Sequence, residues 1–168
     1  MKTPIRFACL AILCCLPMTA FAQTWTSVCS TGAVDEGSLN RFGFFGAQFG
    51  YRASTTSTQP VWERINVVNT FDNNTPPFFP GWTTFELGYT LTASADIINA
   101  TLYRVDPCTG AQSTVCSVSQ VFGATCNVCS IPTSFLPIDF GKYLYYIGVK
   151  VDRASANDQP FCNTLRLY

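Results

Sequence analysis

The chain has 168 residues, of which 48% are hydrophobic, 14% aromatic and only 12% charged, with a formal net charge of zero. A disordered chain would be rich in charge and poor in aromatic residues, so this composition indicates a folded protein. Histidine is absent from the sequence, which excludes every mechanism that needs an imidazole as a base or a metal ligand.

The first 22 residues have the organisation of a secretory signal peptide. Lys2 and Arg6 supply positive charge, an apolar run follows over residues 7–16, and Ala20-Phe21-Ala22 has the small-x-small pattern of a cleavage site. The apolar run is shorter than the roughly 20 residues of a membrane-spanning helix. We therefore predict a signal peptide at 1–22 and one secreted or periplasmic domain at 23–168, without stable membrane insertion.

Removal of this segment would leave eight basic residues (10 minus 2) against ten acidic ones. The remaining chain contains no basic run or stripe, so nucleic acid is excluded as a partner.

Two segments in the first half of the predicted domain, residues 41–51 and 61–71, alternate weakly between apolar and polar positions, which predicts strands. Phe44, Phe45 and Phe49 fall on both faces of the first strand. A strand that is apolar on both faces is typical either of a covered central strand or of a contact surface for another subunit.

A proline-rich loop is predicted at residues 75–81, because its prolines cannot join a strand ladder. Phe78, Phe79 and Trp82 lie in or beside this loop, where burial in a strand does not account for them. Two interpretations remain open: the loop folds back to cap one end of the domain, or its aromatic rings are exposed for binding. Exposed rings stack on sugars and anchor protein partners, so Phe78, Phe79 and Trp82 are the predicted ligand-binding residues.

The second half of the chain has the clearest alternation. Apolar residues occupy every second position in 85–93 and 143–151, and weaker alternation appears in 97–106, 113–122 and 161–168. The sequence at 106–110 has proline and glycine where a tight turn needs them. No capped helical period is visible. The chain therefore predicts an all-β fold: a single antiparallel β-sandwich, jelly-roll or immunoglobulin-like, with about seven strands.

The predicted domain contains an even number of cysteines, which in an exported protein indicates a disulfide-stabilised fold. The disulfide candidates are Cys29, Cys162, Cys108, Cys116, Cys126 and Cys129. Cys29 and Cys162 lie near the two ends of the domain, and a clasp between them is expected if the first and last strands are neighbours. Cys108 and Cys116 flank Thr109-Gly110 and fit the base of one hairpin.

Cys126-Asn-Val-Cys129 is interpreted as a structural disulfide motif. A redox motif would open a helix, which does not follow here, and a zinc site would need Cys108 and Cys116 as further ligands in an oxidising compartment.

No catalytic motif is present, and we predict that the protein is not an enzyme. Glu63 and Glu86 are the best-placed carboxylates for a glycosidase pair, but both are expected on solvent-facing sides of strands. No cofactor is predicted. Asp35-Glu36-Gly37 and Asp72-Asn73-Asn74 are oxygen-rich turns that would suit a structural calcium ion, although such turns usually bond only their own backbone.

The sequence therefore predicts an exported, non-enzymatic β-sandwich with a binding or structural role outside the cytoplasm. Its expected partner is a polysaccharide, bound through exposed aromatic residues, or a protein surface. The alternative is a self-associating surface or appendage subunit, and a carboxylate-based glycoside hydrolase ranks below both. The oligomeric state is left open.

Overall fold

The computed structural model describes residues 24–69 and 79–168, and within them the chain is built almost entirely from strands. The eleven strands are β1 Trp25–Val28, β2 Ala33–Val34, β3 Phe42–Phe45, β4 Gln48–Tyr51, β5 Val61–Val67, β6 Thr84–Thr90, β7 Ile97–Val105, β8 Gln112–Ser119, β9 Cys126–Ser130, β10 Leu144–Asp152 and β11 Phe161–Leu167. Three 3₁₀ turns, Cys29–Thr31, Glu36–Ser38 and Thr133–Phe135, are the only helical elements in the described part of the chain. The all-β prediction is confirmed.

The strands form two antiparallel sheets that pack face to face as a β-sandwich. One sheet has the order β3-β4-β11-β6-β9, and β1 pairs with β11 beyond the end of β4. The other has the order β2-β5-β10-β7-β8. The two inner faces form the single core.

The alternation that predicted the strands also selects the core residues. In β10 the buried side chains are Tyr145, Ile147, Val149 and Val151, each separated by a more exposed residue. Strand β5 alternates in the same way between its buried and exposed sides. Because side chains point to opposite faces at successive positions, one face of each strand packs into the core and the other faces solvent.

The strand count exceeds the predicted seven partly because residues 41–51 form a hairpin and not one strand. Gly46 has a φ of 63°, a value that L residues rarely adopt, and it opens a two-residue turn between Phe45 and its pairing partner Gln48. The short strands β1, β2 and β9 were also missed. They are only two to five residues long, too short for a clear period.

The predicted clasp between the ends of the domain is confirmed. β1 pairs with β11, and Cys29, directly after β1, forms a disulfide with Cys162 in β11. Both cysteines are fully buried.

The expected hairpin disulfide between Cys108 and Cys116 is wrong, and Cys126 and Cys129 of the CxxC motif are not bonded to each other. Cys116 bonds to Cys129, which joins β8 of one sheet to β9 of the other, and Cys108 and Cys126 are exposed free cysteines. Cys108 lies in the turn after β7, where its amide is hydrogen-bonded to the Asp106 carboxylate, whereas Cys116 faces the inside of the sandwich. Disulfides of this kind fit a protein of an oxidising, extracytoplasmic compartment.

The predicted signal peptide at 1–22 lies outside the described residues. Within residues 24–69 and 79–168, no helix is long and apolar enough to cross a membrane.

Candidate functional site

The outer face of the five-stranded sheet carries a group of aromatic side chains. Strands β5, β10 and β7 are adjacent, and their solvent-facing positions include Trp62, Tyr146 and Tyr103. Residues on this face are otherwise mostly polar, because the apolar residues of the same strands are used by the core on the opposite side. Three aromatic rings on such a face are therefore available for contact with a ligand.

Strand register places these rings around a central glycine. On β10, Tyr146 lies opposite Tyr103, and Gly148 lies opposite both Arg64 and Thr101. At the next outward-facing position of β10, Lys150 lies opposite Trp62. A side chain at Gly148 would reach toward Tyr103, since a Cβ there would lie 3.2 Å from the Cε2 atom of that ring. A cleft of about 170 Å³ on this face is lined by Gly148 together with the three aromatic residues.

The rings around this cleft have defined positions. Tyr103 and Tyr146 stack with their centroids 4.8 Å apart and their planes 19° from parallel. The Tyr146 hydroxyl donates a 2.8 Å hydrogen bond to Oε1 of Gln112 on β8. Trp62 remains 41% exposed, and Lys150 Nζ lies 5.8 Å from the centroid of its ring. We call this arrangement of Trp62, Tyr103, Tyr146 and Gly148 the sheet-face cleft.

Charges at the sheet-face cleft are balanced. Arg64 Nη2 lies 3.3 Å from Asp35 Oδ1, and Lys150 Nζ lies 3.2 Å from Asp152 Oδ2. Partial burial, with the neighbouring Tyr103, raises the pKa of the Tyr146 hydroxyl, so this group stays neutral at physiological pH. The cleft thus combines apolar ring faces with hydrogen-bonding groups and carries no excess charge.

Trp82 is one of the three aromatic residues that the sequence predicted to be exposed for ligand binding, and the structure does not place it on the surface. Its side chain is fully buried and packs edge-to-face against Phe140, with the centroids 5.9 Å apart. Phe140 in turn packs against Tyr145 of the core. The prediction of Trp82 as an exposed binding residue is therefore wrong, because its ring is part of the core. Residues 75–78 of the proline-rich loop lie outside the described residues, so the capping interpretation of the loop stays a prediction.

Phe79 is 38% exposed and lines a separate cleft at that end of the sandwich. Phe78 lies outside the described residues, so its role stays a prediction.

The two carboxylates considered for glycoside hydrolysis lie in different sheets, Glu63 in β5 and Glu86 in β6. Contrary to expectation, Glu63 faces the core and is fully buried. Its Oε1 accepts a 2.9 Å hydrogen bond from the amide of Gly32, and its Oε2 has no hydrogen-bond partner among the described residues. Glu86 is partly exposed and forms an ion pair with Arg166, at 3.2 Å.

The described residues contain no metal site at the oxygen-rich turn Asp35-Glu36-Gly37. Asp35 is paired with Arg64, and Asp72-Asn73-Asn74 lies outside the described residues. No group of three or more potential metal-ligating side chains occurs in the described ranges. The structural calcium ion stays an untested expectation.

Sequence reasoning missed the sheet-face cleft because its residues are far apart in the chain. The available signal was an aromatic side chain at a solvent-facing position of an alternating strand, which Trp62 and Tyr146 both satisfy. That signal becomes specific only when pairing brings β5, β10 and β7 together.

No protein-family model matches the chain, and no curated protein matches it. Among solved structures, one similar chain is described as a low-affinity xylan-binding module, CBM86, from the gut symbiont Roseburia intestinalis. The two chains share 9% sequence identity with a TM-score of 0.44, and the match covers 87% of this chain and 93% of that chain.

Proposed function

We propose that this protein is an exported, non-enzymatic module that binds glycans at the sheet-face cleft. The observation that carries the proposal is the placement of Trp62 and the stacked Tyr103–Tyr146 pair around Gly148 on a mostly polar sheet face. Disulfides and the predicted signal peptide support a secreted or periplasmic location.

Sugar rings fit this chemistry for a physical reason. A pyranose presents axial C–H groups on its faces, which contact aromatic rings, and hydroxyl groups at its edge, which need hydrogen-bond partners. Trp62 supplies an exposed ring face, and Asp35, Arg64 and Gln112 supply donors and acceptors at the border of the cleft. Since both cations on this face are paired with carboxylates, the proposed ligand is a neutral polysaccharide.

Two tryptophan substitutions separate binding from folding. Trp62→Ala is expected to weaken glycan binding by about tenfold or more, because it removes the exposed ring while leaving the core intact. Trp82→Ala is expected to lower the free energy of unfolding by about 3–5 kcal/mol, because it empties a large buried site. A glycan array, followed by pull-down with the polysaccharides that bind on the array, would measure binding. Thermal unfolding would measure stability.

Two further variants serve as controls for this experiment. Trp62→Phe keeps an aromatic face and should retain much of the binding, and Phe122→Ala removes a 67% exposed ring elsewhere and should leave it unchanged. The proposal fails if the oxidised wild-type protein binds no glycan, or if Trp62→Ala and Phe122→Ala behave alike.

A second candidate function is self-association, and the edge strand β3 favours it. Phe44 and Phe45 in this strand are 42% and 39% exposed, and among the described strands β3 pairs only with β4. An apolar edge strand is a template for pairing with another chain. If this function is correct, the wild-type protein will sediment faster as its concentration rises, and Phe44→Ser will suppress that change. Monomeric sedimentation of the wild-type protein at high concentration would exclude this candidate.

A further inference from the structure

An arginine occupies an inward-facing position at one end of the sandwich. Arg104 continues the row of β7 residues that begins with the buried Ile98, Ala100 and Leu102, and it stands where the core ends. Its guanidinium carbon lies 4.7 Å from the ring centroid of Phe135 and 4.3 Å from that of Tyr143. A guanidinium held between two rings has little freedom to reorient, so its donors are fixed in space.

Those donors are not used by the described part of the protein. No hydrogen bond or ion pair from the Arg104 side chain occurs within residues 24–69 and 79–168, whereas the buried Arg153 donates to four backbone carbonyls. Arg64 and Arg166 each pair with a carboxylate. A partly buried cation is normally stabilised by such acceptors, because desolvation of a charge is costly. Within the described residues, the Arg104 guanidinium instead contacts the aromatic rings of Phe135 and Tyr143.

The guanidinium borders the cleft of about 410 Å³ that Phe79 also lines. Lys142 lines the same cleft, with its ammonium 5.2 Å from the ring centroid of Tyr143, and forms no ion pair within the described residues. One carboxylate, that of Asp139, is present, and its Oδ1 already accepts a hydrogen bond from the amide of Gly141. Among its lining residues the cleft therefore carries two positive charges and one negative charge, and the carboxylate of Asp106, which does not line the cleft, also interacts electrostatically with Lys142. The Phe79 ring at its border is exposed. None of its lining residues is shared with the sheet-face cleft.

We propose that this end cleft binds the anionic group of an acidic sugar, a carboxylate or a sulfate ester. Two oxygens of either group match the planar fork of a guanidinium, and charge-assisted hydrogen bonds of this kind are stronger than neutral ones. Lys142 adds a second positive charge, and the Phe79 ring offers a face to the sugar ring. This site differs from the sheet-face cleft in ligand chemistry, since the cations of that cleft are already neutralised, and it stands whether or not the sheet face binds glycans.

The test uses the oxidised full chain and three soluble probes: glucuronate, glucose 6-sulfate and glucose. In ¹H–¹⁵N spectra, the Arg104 Nε–H resonance is expected to shift saturably with one or both anions and to be insensitive to glucose. A response to glucuronate alone identifies a carboxylate ligand, and a response to the sulfate alone identifies a sulfated one. Arg104→Gln and Lys142→Gln should each weaken binding, the first by about tenfold or more.

Arg52→Gln is the matched control, because Arg52 is exposed and its removal changes the net charge equally. That variant should bind the anions as the wild-type protein does. If Arg104→Gln proves unstable, the exposed Lys142 provides the decisive variant. The proposal is overturned if neither anion produces a saturable shift, if glucose produces the same shift, or if Arg52→Gln and Lys142→Gln weaken binding equally.

Discussion

Replacement of Cys29 and Cys162 by alanine is expected to lower the free energy of unfolding by about 5 kcal/mol. The disulfide joins residues 133 positions apart, so it restricts the unfolded chain more than the Cys116–Cys129 disulfide, whose separation is 13. On the chain-entropy model, removal of the shorter link should cost about 3 kcal/mol. Urea unfolding of the two double variants would measure the difference.

Cys108→Ala and Cys126→Ala are the controls, because both residues are exposed and free. Each substitution should leave stability within about 0.5 kcal/mol of the wild-type value. A stability loss in either control, or a smaller loss for the Cys29–Cys162 variant than for the Cys116–Cys129 variant, would contradict the disulfide arrangement.

The second large effect concerns the buried Glu63 and its dependence on pH. Burial raises the pKa of Glu63 from 4.5 to about 8, and the hydrogen bond from Gly32 opposes this shift only in part. Below pH 4.5 the carboxyl group is protonated in both the folded and the unfolded chain. Between pH 4.5 and about 8, only the unfolded chain loses the proton, so each pH unit lowers stability by about 1.4 kcal/mol.

Glu63→Gln is expected to abolish this loss of stability, which amounts to roughly 4–5 kcal/mol between pH 4.5 and about 8. The amide has the same shape, and its oxygen can still accept the hydrogen bond from Gly32. The variant should therefore be more stable than the wild-type protein at pH 8, when unfolding is followed in denaturant at several pH values. Glu86→Gln, which changes a partly exposed carboxylate, should keep the wild-type slope. Parallel pH profiles for the wild-type protein and Glu63→Gln would refute the explanation.

Much of the fold could be predicted from the sequence, because a strand with one face in the core has an apolar residue at every second position. Alternation in 143–151 identified the buried side of β10 correctly, from Tyr145 to Val151. The Cys29–Cys162 disulfide could also be predicted, since it needs only that the first and last strands are adjacent.

Features that depend on non-local pairing could not be predicted in this way. Cys116 bonds to Cys129 because β8 and β9 lie at the same side of the sandwich in different sheets, and nothing local to either cysteine encodes that position. Trp82 was similarly ambiguous, because a tryptophan beside a loop satisfies a cap and a binding surface equally well.

The candidate site had the same limitation. Trp62, Tyr103 and Tyr146 come from three strands that are separated along the chain, and each alone is an ordinary solvent-facing aromatic residue. Glu63 was misplaced because a carboxylate is normally expected outside, although its position in the alternation of β5 pointed inward.

The Cys116–Cys129 link has a mechanical consequence for the whole sandwich. It joins the β8 and β9 edges of the two sheets, whereas among the described residues no disulfide joins β2 directly to β3. On that side, the Cys29–Cys162 disulfide holds only the connection between β1 and β2. Transient separation of the two sheets is therefore expected to begin at the β2 and β3 edges, which are not joined to each other by a disulfide. Amide hydrogens of β2 and β3 should accordingly exchange with solvent earlier than those of the central strands, and proteases should first gain access there.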